Sequence, residues 1–263
     1  MVVAVLGVTA GCRTAPGGPG LPFDLQGFID VGLRSGEHRI VVPPGRYRVK
    51  PQRAQHLALK GLSDVTIIAD NVEMICTETS RALTLTGCTN VTVRGLAIDY
   101  DPLPFTQGRI VRLSEDKRVH EVELFDGYPA ADKVDGSKYE IFRPDTRTLR
   151  CPDYSYEVEK AEARRLRIVK RRGSAQDLEQ VGDIVVIGTT DAPGGRNAHA
   201  VVTENCQGVR LERVTLFASN CFGFLEYGCD GTTYEHCRLD RRPAESDLAL
   251  RADPRIRSAN ADA

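Results

Sequence analysis

The chain has 263 residues, and its 35 Lys+Arg against 36 Asp+Glu leave a formal net charge of −1. Charges this closely balanced give no overall field to gather nucleic acid or to hold the whole molecule on an anionic membrane. No stretch reaches the roughly 18 apolar residues that a membrane-spanning helix needs, so a globular protein with an uncharged or locally recognised partner is expected.

Residues 1–20 join a short apolar run to a Pro/Gly-rich stretch at 16–20 and read as an export signal with a linker. The Thr-Ala-Gly-Cys box ending at Cys12 resembles the cleavage box of bacterial lipoproteins. Cys12 is therefore the expected lipidation site and the only expected membrane attachment, and the protein is expected to be periplasmic, surface-anchored or secreted. From residue 22 to 36 the apolar period becomes helical. Leu25, Phe28, Ile29 and Leu33 share a stripe, Asp24 can cap its start, and Gly36 can end it. Residues 39–49 then read as a first strand pair turned by Pro-Pro-Gly.

The dominant signal follows. Four segments, from Gly61, Gly87, Asn205 and Gly228, each begin with a polar turn and continue as alternating apolar and polar residues. Their fifth residues, Val65, Val91, Val209 and Thr232, are 26, 118 and 23 residues apart, so two steps are single turns and the middle one holds an insertion. Repeats too short for a crossover helix must wind strand onto strand. The expected fold is all-β: a right-handed parallel β-helix with an N-terminal capping helix and an inserted antiparallel β-barrel or sandwich subdomain. The expected divisions are 1–20 signal and linker, 21–104 capping helix and first turns, 105–198 insertion, 199–242 further turns, and 243–263 a tail or the start of another turn.

Within the insertion, alternating stretches lie between turns such as Ser-Glu-Asp-Lys and Ala-Pro-Gly-Gly. Its basic run at 164–172 interleaves apolar residues as a strand does and lacks the aromatic spacing of a nucleic-acid patch, so it reads as a solvated strand face. Cys88, Cys206 and Cys229 hold one position in their repeats, and Cys237 takes the place of Leu96 and Val214. Such residues stack, leaving either packed thiols or a disulfide between neighbouring turns. The five histidines show no zinc spacing, and neither metal nor cofactor is expected.

The same alignment turns Leu96 and Ile98 inward and Asp99, Phe217 and Asp240 outward. Asp99 and Asp240 would then lie two turns, roughly 9.6 Å, apart, near the upper end of the carboxylate separation of inverting glycoside hydrolases. Asp101 adds a second carboxylate beside Asp99, with Tyr100 between them as a candidate sugar contact. Glu226 is a candidate groove residue, and Arg238, Arg241 and Arg242 can meet a sugar or simply pair with Asp240.

Residues 90–108, which contain DYDPLPFTQG, resemble a segment of pectin-lyase-fold glycoside hydrolases, especially family 110, α-1,3-galactosidases with extra β-domains set into the helix. Residues 217–226 are similar to segments of the same broad group. The ending around Asn260 and Asp262 resembles the Asn-x-Asp motif of polygalacturonase-like enzymes, in which a following turn supplies an Asp-Asp pair; no Asp-Asp dipeptide occurs in this chain. The resemblance implies the N-terminal part of an inverting hydrolase of galactose-containing or related poly- or oligosaccharides. It implies Asp262 as a catalytic carboxylate and Asn260 as its sugar-contacting neighbour, which join Asp240, Asp99 and Asp101 as candidate carboxylates and Tyr100, Glu226, Arg241 and Arg242 as candidate sugar contacts. A non-catalytic glycan-binding β-helix and a polysaccharide lyase are the alternatives.

Overall fold

The computed structural model describes residues 20–146, 148–153, 156–171, 178–189, 199–219 and 221–240, with the side chains of 135–138, 151–153, 160 and 161 excepted. The chain is a right-handed parallel β-helix with one capping helix and an inserted antiparallel sheet. After β1 (Leu21–Pro22) comes α1 (Leu25–Arg34), and then β2 (Arg39–Val41), β3 (Gly45–Val49), β4 (Gln55–Lys60), β5 (Thr66–Cys76), β6 (Arg81–Thr86) and β7 (Thr92–Tyr100). The insertion contributes β8 (Phe105–Leu113), β9 (Val119–Leu124), β10 (Val134–Phe142), β11 (Leu149–Asp153), β12 (Tyr156–Glu162), β13 (Arg165–Lys170) and β14 (Ile184–Thr189). The helix resumes with β15 (Val201–Glu204), β16 (Arg210–Glu212), β17 (Thr215–Leu216), β18 (Phe224–Tyr227), β19 (Thr233–Glu235) and β20 (Arg238–Leu239).

The start of α1 is fixed by Asp24, whose carboxylate accepts the Gly27 N–H at 2.9 Å. Gly36, at φ 79, turns the chain out of the helix. Leu25 and Ile29 are buried against the first turns. Gly32 has no side chain to hold the helix away from Ile40, whose Cγ1 lies 3.1 Å from where a Cβ would stand. The Gln26 side chain accepts the Ala58 N–H of β4 at 2.7 Å, so the helix satisfies a strand amide as well as covering apolar surface. The segments β2 and β3 do not pair with each other. Both lie parallel along β5, one on each side of its corner.

One parallel sheet runs in the order β1, β3, β5, β7, β16, β19, and a second in the order β18, β15, β6, β4. Register converts the repeat into columns. Ile40, Ile67, Val93, Leu211 and Tyr234 form one inward column, and Met74, Ile98, Leu216 and Leu239 form another. Each fully buried Val, Leu or Ile stabilises the fold by about 1.5–3 kcal/mol, and up to Leu211 and Leu216 these columns are the core; Leu239 is partly buried and Tyr234 is exposed. Cys88, Cys206 and Cys229 stack as free thiols; the Cys88 N–H points to the Cys206 sulfur at 3.3 Å and the Cys206 N–H to that of Cys229 at 3.4 Å.

In four turns the corners are made by left-handed backbone at three places. Gly61, Gly87, Asn205 and Gly228 have φ of 60, 61, 50 and 63°; Asp64, Asn90, Gly208 and Gly231 have 57, 53, 61 and 68°. This is why the repeat opens on Gly or Asn and carries Asp, Asn or Gly three residues later: few other residues enter this region cheaply. Asn71, Gly95, Arg213 and His236 complete the third corner at φ 61, 80, 52 and 54°. Asp70 braces it, accepting from Arg94 at 2.7 Å and from Arg213 at 3.2 Å. The hydrogen bond from Arg94 in particular holds the Asp70 carboxyl below its usual pKa.

The inserted sheet is antiparallel, ordered β11, β10, β14, β8, β9, β13, β12. It curls around Ile110, Val122, Leu166, Ile168, Val185 and Ile187, and Tyr139 of β10 approaches Tyr156 of β12 with ring centroids 4.8 Å apart. Phe105, Phe142, Ile184 and Val186 point the other way and join the solenoid core. The basic run is a woven face: Arg165 lies beside Glu123, and Arg167 lies between Glu121 and Glu159.

Gly95→Ala is expected to lower the thermal midpoint clearly. A left-handed alanine costs about 1–2 kcal/mol, and the new Cβ would stand 2.8 Å from the Asp70 Cα, which is backbone and cannot swing away. A calorimetric scan showing an unchanged midpoint would refute the corner account.

Candidate functional site

The site is built on the outer face of the sheet half formed by β3, the second half of β5, the second half of β7, β17 and β20. Residues pointing out of this face form two columns. The first contains Arg46, Glu73, Ala97, Thr215 and Arg238. The second contains Arg48, Ile75 and Asp99, and is continued by Phe217, whose N–H donates to Ile98 O at 2.9 Å, and by Asp240, whose N–H donates to Leu216 O at 3.0 Å. Asp99 and Asp240 are thus two rungs apart with Phe217 between them, at about 4.8 Å per rung.

The two acids sit in different surroundings. Asp99 points away from the core yet is 0 % exposed, and its Oδ1 accepts the Tyr100 N–H at 2.7 Å. Asp240 is exposed. Asp99 thus has the outward direction that the alignment gives it but no access to solvent at its rung. Asp101 ends the strand in an ion pair: Arg48 Nη1 donates to its Oδ2 at 2.7 Å and Arg48 Nη2 to its carbonyl at 3.3 Å. Beside it, Arg46 and Glu73 form a second, largely buried ion pair.

Two sequence-derived contacts move. Tyr100 is not on the sugar-facing side: two residues beyond Ile98, it faces inward, is buried in the core, and donates its hydroxyl to Ser80 O at 3.0 Å. Glu226 is exposed and lies in register with Thr203, which pairs with Leu85 as Leu85 does with Leu59, so it stands at the open end of an inward column. It accepts a hydrogen bond from the Tyr234 hydroxyl at 3.2 Å, and burial is the leading cause that pushes that hydroxyl's pKa up to about 12. Cys12, Arg241, Arg242, Asn260 and Asp262 lie outside the described residues.

Sequence reasoning missed a buried polar network inside the inserted sheet. His120 Nδ1 is 2.6 Å from the Tyr139 hydroxyl, His120 Nε2 is 3.4 Å from Glu179 Oε1, and Lys170 pairs with the same Glu179 oxygen. Burial would raise the Glu179 pKa, but hydrogen bonds from His120 and Lys170 outweigh it and hold the carboxyl at about 2. No motif spacing marks these residues; the only signal is charged side chains where β-alternation demands apolar ones. Among the described residues no three His, Cys, Asp or Glu side chains are grouped to hold a metal ion, and no helix is long and apolar enough to cross a membrane.

Compared with known proteins, the chain matches no family model and no curated protein.

Two outcomes follow from the buried groups. His56 is enclosed beside Tyr100 with ring centroids 6.2 Å apart, and its Nδ1–H donates to Arg81 O at 2.8 Å. Burial lowers its pKa from 6.5 to about 4, so the folded protein keeps it neutral while the unfolded chain takes up a proton below 6.5. About 3 kcal/mol of stability is expected to disappear as pH falls from 6.5 to 4, and urea titrations of His56→Gln should lack that component. Separately, Glu179→Leu removes the carboxylate that pairs with buried Lys170 and should cost about 3–5 kcal/mol, with Lys170→Met in the same background restoring much of it; equal melting of all three proteins would contradict the ion-pair assignment.

Proposed function

We propose that this is a carbohydrate-active β-helix protein, related to the pectin-lyase-fold glycoside hydrolases, that acts on a galactose-containing poly- or oligosaccharide by inverting hydrolysis. The observation that carries it is the outward column of Asp99, Phe217 and Asp240. Its two carboxyl groups stand on rungs roughly 9.6 Å apart, just beyond the upper end of the about 6.5–9.5 Å separation of inverting enzymes. In such chemistry one carboxylic acid protonates the leaving oxygen while the other carboxylate activates water on the opposite face of the sugar. Asp101, held by Arg48, adjoins this column, and Asp262 and Asn260 belong to the same proposal through their motif alone.

The burial of Asp99 favours a second reading. With one acid enclosed and hydrogen-bonded to backbone, Asp240 is the exposed carboxylate of the column, and Phe217, Thr215 and Arg238 surround it with the groups that hold a sugar without cleaving it.

The purified chain should release reducing sugar from galactose-containing oligosaccharides, with the initial anomer inverted in proton NMR. Asp240→Asn should lower that release at least about a hundredfold. Binding without release selects the second reading, and neither binding nor release rejects the proposal.

A further inference from the structure

The solvent-facing stripe of α1 is apolar where a surface helix is ordinarily polar. Phe28 and Val31 are 36 % and 57 % exposed, one helical turn apart, and the stripe ends at exposed Arg34. Phe28 packs on Phe23 with centroids 5.7 Å apart, Phe23 stacks on Tyr47 at 4.2 Å, and Tyr47 is in register with Leu21, which is 72 % exposed. One continuous apolar surface therefore covers the first end of the solenoid, on a helix whose opposite side is already committed to the core. Exposed patches of this kind mark a partner.

We propose that this end of the β-helix docks on an anionic lipid surface, with Leu21, Phe28 and Val31 entering the headgroup boundary. Charge favours lipid over a second copy of the chain. Residues 20–60 carry seven Lys or Arg against three Asp or Glu, whereas the whole chain has a net charge of −1. Two of the seven, Arg46 and Arg48, are engaged by Glu73 and Asp101, while Arg34, Arg39, Lys50 and Arg53 are exposed. Two copies meeting through this end would bring like charge together; a bilayer containing anionic lipid would not. The sequence adds position. The lipoprotein-like box places Cys12 eight residues before Gly20, an arm of at most roughly 28 Å when extended, so an anchor there would hold this same end against the bilayer. A single lipid chain gives only marginal attachment and gains from a second contact.

The test is flotation of the full chain with phosphatidylcholine vesicles, with and without phosphatidylglycerol. Binding should need the anionic lipid and fall with added salt. It should drop about tenfold in Phe28→Ser/Val31→Ser and measurably in Leu21→Ser, whose side chain is least engaged in the fold. Val181→Ser, which alters an exposed valine in the turn before β14, should bind like the parent. Thermal scans of the variants establish that the fold is kept. Absence of flotation by the parent chain, equal flotation of all variants, or a parent dimer in sedimentation velocity that Phe28→Ser/Val31→Ser dissolves would each overturn the proposal.

Discussion

In-register stacking of one turn on the next is the constraint on which everything else in this molecule depends. Parallel strands about 4.8 Å apart exchange backbone hydrogen bonds only if each turn returns to the same phase, and period-two alternation makes a slip of one residue turn the core outward. The left-handed corners set that phase. At two of the three corners the chain uses Gly, Asn or Asp throughout, and Asn90 also donates to Asp64 on the neighbouring turn at 3.0 Å. At the third, Arg213 and His236 accept a conformation that costs side-chain-bearing residues energy. There the ion pairs of Arg213 with Asp70 and Glu212 offset part of the cost.

The same constraint explains how residues 105–198 can be set into the coil without disturbing it. The chain leaves after β7 and returns at β15, yet β15 still pairs with β6, and β16 with β7, residue for residue. The neck of the insertion is closed by Thr189, whose N–H donates to Pro104 O at 2.9 Å and whose hydroxyl donates to Leu103 O at 3.1 Å. With its ends clamped, a long excursion costs little more loop entropy than a short one. Phe105, Phe142, Ile184 and Val186 then fasten the inserted sheet to the solenoid core, while Tyr139, Ile141 and their neighbours give it a second core of its own.

Along the axis the inward columns change character. Leu59 and Leu85 give way to Thr203 and then Glu226, Val65, Val91 and Val209 to Thr232, and Val93 and Leu211 to Tyr234. On the last described rung Leu239, Cys229 and Cys237 still pack on the core beside the Tyr234 to Glu226 hydrogen bond, while the first rungs are closed by apolar contact with α1. The outer columns are graded as well. Arg46, Glu73, Arg48 and Asp101 are neutralised in pairs near the first rungs, and Asp240 and Arg238 are exposed on the last. These gradients concentrate the exposed polar side chains on the later rungs.

Sequence by itself determined the solenoid, because a repeat of turn residues and alternating apolar residues has one economical backbone solution. It gave the capping helix through Asp24 and Gly36, the stacking of Cys88, Cys206 and Cys229, and the alignment of Asp99, Phe217 and Asp240, all of which depend only on counting residues along a regular rung. Tertiary structure alone decided what covers a position once its direction is known. Asp99 points outward and is nonetheless enclosed, Tyr100 turns into the core beside His56, and Glu226 continues the inward column of Thr203. The buried group of His120, Tyr139, Lys170 and Glu179 was equally illegible, since its members come from three separate strands and the connection before β14 and meet only when the inserted sheet curls. Periodicity fixes direction because it is a local property of the backbone; burial and pairing depend on segments far away in the chain, which no local count can see.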